Sequence, residues 1–315
     1  MILIFGYQSV GHACFEALWE LGERELHVVT HRDRPGETIW WSSLADAARA
    51  VDVPVTYSED LDREALIEFV RELRPQLIYS FYYRDMLPTA ALRVADLGAY
   101  NMHGSLLPAY RGRCPVNWAV LNGATETGVT LHHMVARADA GDIVGQRAVP
   151  IGPRDTALDV FHAMVPAARA LLAELHPQIV AGTAPRIPQD ESRATTFGGR
   201  RPEDGAIDWS RSASDIDALV RAVAHPYPGA FGEWEGRRFY VWRSNPVERA
   251  ESAEPGQILG VDGGALLVAC GEGALRIERA SYGDGPELAA RELAGPVLPG
   301  GELAGSVLSA GRGRA

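Results

Sequence analysis

The sequence contains no lysine, so all 30 of its basic residues are arginine. We read this first as a compositional bias, although arginine also suits the recognition of carboxylates and phosphates where it lines a site. Acidic residues number 41 and the formal net charge is −11. This balance argues against a partner bound mainly through its phosphates, because nucleic-acid binders usually present a basic face. We therefore expect no nucleic-acid partner.

Cysteine is also scarce. Cys14, Cys114 and Cys270 are odd in number and widely spaced, which favours neither a disulfide framework nor a C-x-x-C metal site. The apolar start, residues 1–7, lacks a basic region and is too short for a signal peptide or a membrane span. We expect a cytoplasmic protein that is not inserted in a membrane.

Length and hydrophobic patterning predict an α/β protein of two domains. The 315 residues exceed one typical core, and 46% of them are apolar. Short apolar runs alternate with amphipathic segments up to about residue 181, which is typical of a mostly parallel sheet covered by helices. Short β-like runs between turns then follow. We expect a Rossmann-like catalytic domain at 1–200, a smaller β-barrel (OB-like) domain at 201–300 and a flexible tail at 301–315.

The first strand–turn–helix unit resembles a dinucleotide-binding unit only loosely. Its glycines read Gly6-x-x-x-x-Gly11 instead of G-x-G-x-x-G. The second strand ends in Thr30-His31, without an acidic residue for a ribose hydroxyl. The sequence does not favour a nicotinamide cofactor.

Polar side chains follow the predicted strand 99–103. Asn101 and His103 stand at its end, and Asp139 lies in the polar loop 137–142 between two further predicted strands, 128–135 and 143–149. We expect both segments to end at one edge of the sheet, where open α/β sheets bind ligands. The alternative is that Asn101 and His103 only cap neighbouring backbone groups.

These residues belong to a longer pattern. Asn101-x-His103-x-Ser105-Leu106-Leu107-Pro108 is followed by Arg111-Gly112, by Thr127-Gly128-Val129-Thr130 and by Asp139-Ala140-Gly141-Asp142. The pattern resembles the folate-dependent formyltransferase family, whose Asn, His and Asp match here in order and spacing. The resemblance covers nearly the whole chain and fades only in the tail.

The resemblance implies a formyl transfer from 10-formyltetrahydrofolate as co-substrate. It is closest to the members that formylate the 4-amino group of UDP-4-amino-4-deoxy-L-arabinose in lipid A modification and polymyxin resistance. The decarboxylase half to which such domains are fused is not present, so we expect a stand-alone enzyme. A dTDP-linked amino sugar is the alternative acceptor, and a formyltetrahydrofolate hydrolase or a non-catalytic binding module are the alternative functions. The charge of −11 disfavours tRNA as the acceptor.

Elementary chemistry agrees with catalytic roles for the three polar residues. Attack of an amine on a formyl group places negative charge on oxygen, to which the Asn101 amide can donate. His103 can move the proton, since the unperturbed pKa of imidazole lies near working pH. An Asp139 carboxylate beside the ring would orient it and favour its protonated form. No metal is expected, because His132 and His133 are adjacent in a strand and would point to opposite faces.

The resemblance also implies which residues hold the folate. These are Asp85, Met86, Leu87, Arg113, Val135, Ala136, Arg137 and Ala138, largely through backbone groups. The residues alone leave Asp85 open as a solvated loop residue and Arg113 as a surface charge. Tyr82, Tyr83, Trp40 and Trp41 could stack on ligand rings or pack in the core. Arg200 and Arg201 could meet a diphosphate or be solvated.

The partners implied are therefore two small molecules, a nucleotide sugar and a folate. Whether the chain forms a homo-oligomer is left open.

Overall fold

The computed structural model describes residues 1–248, 253–289, 292 and 307–310. The chain divides into two compact units. Unit 1 comprises Met1–Pro115, Glu126–Pro150 and Val160–Gly198, and unit 2 comprises Val116–Thr125, Ile151–Asp159 and Gly199–Ala315. The domain limits expected from the sequence, 1–200 and 201–300, remain a prediction.

Unit 1 contains a seven-stranded sheet in the order β3-β2-β1-β4-β5-β7-β8. Its strands are β1 (Ile2–Gly6), β2 (Leu26–Thr30), β3 (Val55–Tyr57), β4 (Leu77–Phe81), β5 (Ala99–His103), β7 (Glu126–His133) and β8 (Ile143–Pro150). The helices up to residue 180 are α1 (Gln8–Glu20), α2 (Leu44–Arg49), α3 (Arg63–Leu73), α4 (Thr89–Leu92), α5 (Pro115–Leu121) and α6 (Ala157–Val180). Strands β1 to β5 pair in parallel, which confirms the predicted Rossmann-like sheet. Their apolar character is nearly continuous because parallel sheets are covered on both faces.

The face of β5 that carries the polar residues is also a core face. Ile78 of β4 pairs with Ala99, and both belong to a buried cluster that includes Leu3, Phe5 and Val70 of α3. Alternate residues of a strand share a face, so Asn101 and His103 extend the row that begins at Ala99. Toward its end, this row changes from apolar core to polar site.

Strand β7 runs antiparallel to β5, with Tyr100 paired to His133 and His103 to Thr130. The C-terminal end of β7 therefore lies at the N-terminal end of β5. The expectation that the segments carrying Asn101 and Asp139 end at one edge of the sheet is wrong. Asp139 instead returns to the polar row through the loop that follows β7, where Met134 N–H bonds to the Ala99 carbonyl at 2.8 Å.

A two-stranded parallel ribbon lies outside the main sheet. It pairs β6 (Arg111–Gly112) with β9 (Thr196–Phe197). Arg111 N–H donates to the Thr195 carbonyl at 2.9 Å and Arg113 N–H to the Phe197 carbonyl at 3.0 Å. Because successive N–H groups of a strand alternate in direction, the N–H of Gly112 points away from β9 and is available to another partner.

Unit 2 contains an antiparallel, curled sheet, which confirms the predicted barrel-like second domain. Helix α7 (Ala213–Val223) is capped by Ser212, whose hydroxyl accepts from Asp215 N–H at 3.1 Å. The strands are β10 (Ala230–Trp234), β11 (Arg237–Val247), β12 (Ile258–Asp262), β13 (Ala265–Ala269), β14 (Ala274–Tyr282), β15 (Leu288–Ala289) and β16 (Ser309–Ala310). Of the predicted flexible tail, 301–306 and 311–315 lie outside the described residues, whereas β16 pairs with β10.

Candidate active site

Asn101 is held by a histidine on the neighbouring strand. Its Nδ2 lies 3.1 Å from Nε2 of His132, the residue paired with it across β5 and β7. His132 Nδ1 lies 2.9 Å from the His133 carbonyl, which can only accept, so Nδ1 donates there and Nε2 is the ring nitrogen that faces Asn101. Asn101 therefore presents its NH₂ group to His132.

His103 has both ring nitrogens close to protein oxygens. Nε2 donates to the Tyr110 carbonyl at 2.8 Å, and Nδ1 lies 3.5 Å from Oδ1 of Asp139. The same Oδ1 lies 3.5 Å from Asn101 Nδ2 and 3.6 Å from His132 Nε2. The structure thus brings the three predicted catalytic residues, Asn101, His103 and Asp139, together around one carboxylate oxygen, with His132 as a fourth member.

The second carboxylate oxygen of Asp139 is fixed by the ribbon. Oδ2 accepts from Gly112 N–H at 2.9 Å. Gly112 has φ +100°, and a Cβ there would lie 2.1 Å from the Phe197 carbonyl oxygen, so no other residue fits without displacing β9. The glycine of the Arg111-Gly112 motif therefore serves close approach and not chemistry.

Four residues in loops around the polar row have left-handed backbone. Tyr82, Tyr110, Cys114 and Asp139 adopt φ values of 56°, 59°, 54° and 53°. Such conformations are costly for residues other than glycine and persist where the surroundings impose them.

Burial and charge act in opposite directions on the two ionisable groups. Burial raises the pKa of the Asp139 carboxyl, but His103, His132 and the Gly112 N–H outweigh it and lower that pKa to about 2. Burial is the largest influence on His103 and lowers its pKa below the usual 6.5; His132 lowers it further, and Asp139 and the Tyr110 carbonyl offset only part of the shift. Asp139 thus favours the protonated ring, as expected from the sequence, but desolvation exceeds its attraction and the net shift of the His103 pKa is downward.

A buried arginine lies in β6, next to the glycine whose N–H binds the Asp139 carboxylate. Arg111 is 1% exposed and donates to both oxygens of Glu191, from Nη1 at 3.0 Å and from Nη2 at 2.6 Å. It also donates to Oε1 of Gln189 from Nη2 at 2.6 Å and from Nε at 3.1 Å. The hydrogen bond from Arg111, reinforced by Arg137, lowers the pKa of Glu191 to about 2, so this ion pair stays charged at neutral pH.

The predicted folate residues lie in two loops and beside the ribbon. Met86 is 65% exposed and Val135 is 43% exposed, whereas Leu87 is buried in the same cluster against which Met134 packs. That shared cluster brings the loop after β4 and the loop after β7 to one side of the sheet. Asp85, Ala136, Arg137 and Ala138 are exposed, and so is Arg113; Arg137 pairs with Glu191 at 2.9 Å.

The candidate stacking aromatics pack within unit 1. Tyr83 stacks on His31, with ring centroids 4.4 Å apart, and contacts Phe5 edge-on. Trp40 lies edge-on to Phe161, as Tyr82 does, and Trp41 lies edge-on to Tyr7. In unit 2, the Arg200 guanidinium lies over the Trp118 ring at 4.8 Å, and Arg201 is exposed.

His132 and Gln189 were missed by the sequence interpretation. A period-2 reading of β7 separates His132 from His133, and His133 indeed faces Tyr100 with ring centroids 4.6 Å apart. This alternation signals that His132 shares the face of Asn101. Gln189 has no comparable signal, because it lies in a segment without periodicity.

No group of three or more His, Cys, Asp or Glu side chains is arranged to hold a metal ion within the part of the chain that the structure describes. Among the described helices, none combines the length and the apolar character that crossing a bilayer requires.

Comparisons with known structures show the same fold in proteins of low sequence identity. An N-formyltransferase from Helicobacter canadensis, in complex with folinic acid and dTDP-3-aminofucose, matches with a TM-score of 0.70 at 18% identity, over 88% of this chain and 97% of that one. WlaRD, a sugar 3N-formyltransferase in the presence of dTDP and 5-N-formyl-THF, matches with a TM-score of 0.68 at 16% identity, over 90% and 98% of the two chains. HypX from Aquifex aeolicus, in complex with tetrahydrofolic acid, matches with a TM-score of 0.64 at 19% identity, over 95% of this chain and 47% of that one.

Two family matches cover most of the sequence. Residues 1–174 match the formyl transferase family and residues 200–296 match the formyl transferase C-terminal domain. Together with the shared fold, these matches show that the chain belongs to the folate-dependent formyltransferase family.

Proposed function

We propose that the protein is an N-formyltransferase that moves the formyl group of 10-formyltetrahydrofolate to the amino group of a nucleotide-linked sugar. The observation that carries this proposal is the cluster of Asn101, His103 and Asp139 around one carboxylate oxygen. A donor of hydrogen bonds, an imidazole and a carboxylate supply what amine attack on a formyl carbon requires. The relatives described in complex with folates and a sugar nucleotide support the same reaction class.

Asn101 is proposed to stabilise the oxygen of the tetrahedral intermediate. One hydrogen of its NH₂ group goes to His132 at 3.1 Å, whereas the other faces Asp139 at 3.5 Å, the weaker contact. This second hydrogen can turn to the formyl oxygen as negative charge develops there. Preorganised donors of this kind are worth on the order of 3–4 kcal/mol.

His103 is proposed to carry the proton that the attacking amine loses. Its lowered pKa keeps the ring neutral at pH 7, and Nε2 already donates to Tyr110, so Nδ1 is the nitrogen that accepts. The imidazolium so formed lies beside the ionised Asp139, which stabilises it. The same proton then goes to the folate nitrogen as the bond from that nitrogen to the formyl carbon breaks, directly or through a water.

The folate is proposed to bind along Asp85 to Leu87, Arg113 and Val135 to Ala138. The exposed Met86 and Val135 side chains offer apolar surface for a planar ring, on the side of the sheet where Asn101 lies. The backbone of both loops supplies donors and acceptors. The guanidinium of Arg113 is exposed and can meet an anionic group.

UDP-4-amino-4-deoxy-L-arabinose is our proposed acceptor, on the residue pattern described above. A dTDP-linked amino sugar is the second candidate, because structural relatives are described with dTDP or a dTDP sugar. Both acceptors present a primary amine on a pyranose. The chemistry at His103 and Asn101 is the same for either.

The test is incubation with 10-formyltetrahydrofolate and each amino sugar nucleotide in turn, with release of tetrahydrofolate and product mass as readouts. We expect a product 28 mass units heavier than the acceptor, because a formyl group replaces one hydrogen, and a higher kcat/KM for the UDP sugar. A higher kcat/KM for a dTDP sugar would identify that sugar as the acceptor instead. Release of formate without any acceptor would favour a hydrolase. No turnover with any substrate would contradict both the transferase and the hydrolase function.

A further inference from the structure

Gln189 uses every hydrogen-bonding position of its side-chain amide. Oε1 accepts two hydrogen bonds from the buried Arg111. Nε2 donates to the Asp139 carbonyl at 2.8 Å and to the Gly141 carbonyl at 2.7 Å. Because arginine can only donate and carbonyls can only accept, the orientation of this amide has no alternative.

The two carbonyls belong to the turn that presents the Asp139 carboxylate. Asp139 adopts φ 53°, a left-handed conformation that is uncommon for residues other than glycine. A Cβ at Gly141 would lie 1.8 Å from the His133 carbonyl oxygen, so the far end of the turn is pressed against the end of β7. Gln189 joins both sides of the turn through its NH₂ group.

Gln189 is itself anchored to the main sheet. Ile187 and Ile143, the first residue of β8, exchange two backbone hydrogen bonds of 2.8 and 2.9 Å. Glu191, two residues after Gln189, forms an ion pair with Arg111 at 2.6 Å. The amide is therefore fixed on both sides, and it can fix the turn in its place.

We infer that Gln189 is a positioning residue, which acts through the Asp139 turn to place the carboxylate against Nδ1 of His103. The expected effect on turnover rests on the proposed formyl transfer. The placement of the Asp139 carboxylate by Gln189 does not depend on that function. The groups that face the His103 ring are Asp139, His132 and the Tyr110 carbonyl, and of these only Asp139 carries negative charge. Displacement of the turn would therefore remove the one carboxylate that raises the pKa of His103.

Two variants test the role of the Gln189 NH₂ group separately from that of the rest of the Gln189 side chain. Q189M removes the amide without adding charge and keeps the length of the side chain. Q189E keeps oxygen acceptors for Arg111 but sets a carboxylate against the two carbonyls. The matched control is Q178M, because the side chain of Gln178 on α6 donates to the Glu174 carbonyl, one turn before it.

The readouts are the imidazole titration of His103, followed by NMR with labelled histidine, and the steady-state kinetics of formyl transfer. The His103 signal is assigned by its loss in H103Q. We expect the ring to titrate at lower pH in Q189M than in the wild type, and kcat to fall by up to about 100-fold in both Gln189 variants. Q178M should match the wild type in both readouts.

An unchanged His103 titration in Q189M would overturn the inference, whatever happens to turnover. Loss of Tm and of turnover with that titration unmoved would show a purely structural role. The titration needs no substrate, so it decides the inference even if the wild type transfers no formyl group. That failure of the wild type would count against the proposed function alone.

Discussion

His103 combines a lowered pKa with a nearby carboxylate, and the two features have different uses. Burial keeps the ring neutral, so that it can accept a proton at pH 7. Asp139, with its pKa near 2, remains ionised and stabilises the ring once it is charged. The pair therefore favours proton uptake by His103 in the transition state over protonation in the free enzyme.

Variants of this pair should separate catalysis from binding. We expect H103A and D139A to lower kcat by about 100- to 10,000-fold, the usual range for a lost acid–base group. Folate affinity, measured by calorimetry, should stay close to that of the wild type, because the proposed folate contacts lie in other residues. The exposed pair Arg71 and Glu68 on α3 offers a control, and R71A should retain full turnover. Near-normal turnover in either site variant would refute its assigned role.

Among the elements, β5 was predictable from sequence to the residue, because an apolar run ends at polar groups over Ala99–His103. The direction of β7 was not, because hydrophobic alternation carries no information on parallel or antiparallel pairing. The two-residue strands β6 and β9 are too short for any periodicity. They nevertheless hold the N–H that fixes Asp139. Side-chain to backbone contacts of this kind, like those of Gln189, depend on tertiary placement alone.

The ribbon should be sensitive to a single methyl group. G112A places a Cβ 2.1 Å from the Phe197 carbonyl oxygen and imposes φ +100° on alanine. We expect the free energy of unfolding of G112A, measured in urea, to be lower than that of the wild type by about 1–3 kcal/mol. G198A, where a Cβ meets no atom within 4 Å, is the control and should lose much less. Equal stability of the two variants would contradict the geometry described for β6 and β9.

For the whole molecule, the family and the fold class followed from patterns spread along the chain, whereas the electrostatic state of the site did not. The net direction of the shift in the His103 pKa depends on how deeply the ring is buried, and this depth cannot be read from the sequence. Burial likewise lowers the pKa of His27, His31 and His133. Four histidines therefore favour the neutral form in the folded state.

This shared direction predicts that the protein loses stability in mild acid. Below the unfolded-state pKa of about 6.5, the unfolded chain binds protons that the folded chain takes up only at lower pH, so stability falls as pH decreases. The contribution of Asp139 is present above about 3.8 and is lost only as pH falls toward 2, outside this window. Urea unfolding at pH 7.5 and at pH 5.5 should give the lower free energy at pH 5.5, and H103Q should show a smaller difference. Equal or higher stability at pH 5.5 would contradict the burial of these rings.

The most direct test of the central claim follows the fate of the formyl carbon. Wild-type protein is mixed with 10-formyltetrahydrofolate labelled with ¹³C in the formyl group and with UDP-4-amino-4-deoxy-L-arabinose, and the label is traced by NMR. We predict that the label appears in the formamide of the sugar, and that H103A slows its appearance without redirecting it. Label recovered as formate in the presence of saturating amine, or left on the folate both with this acceptor and with a dTDP-linked amino sugar, would contradict the account.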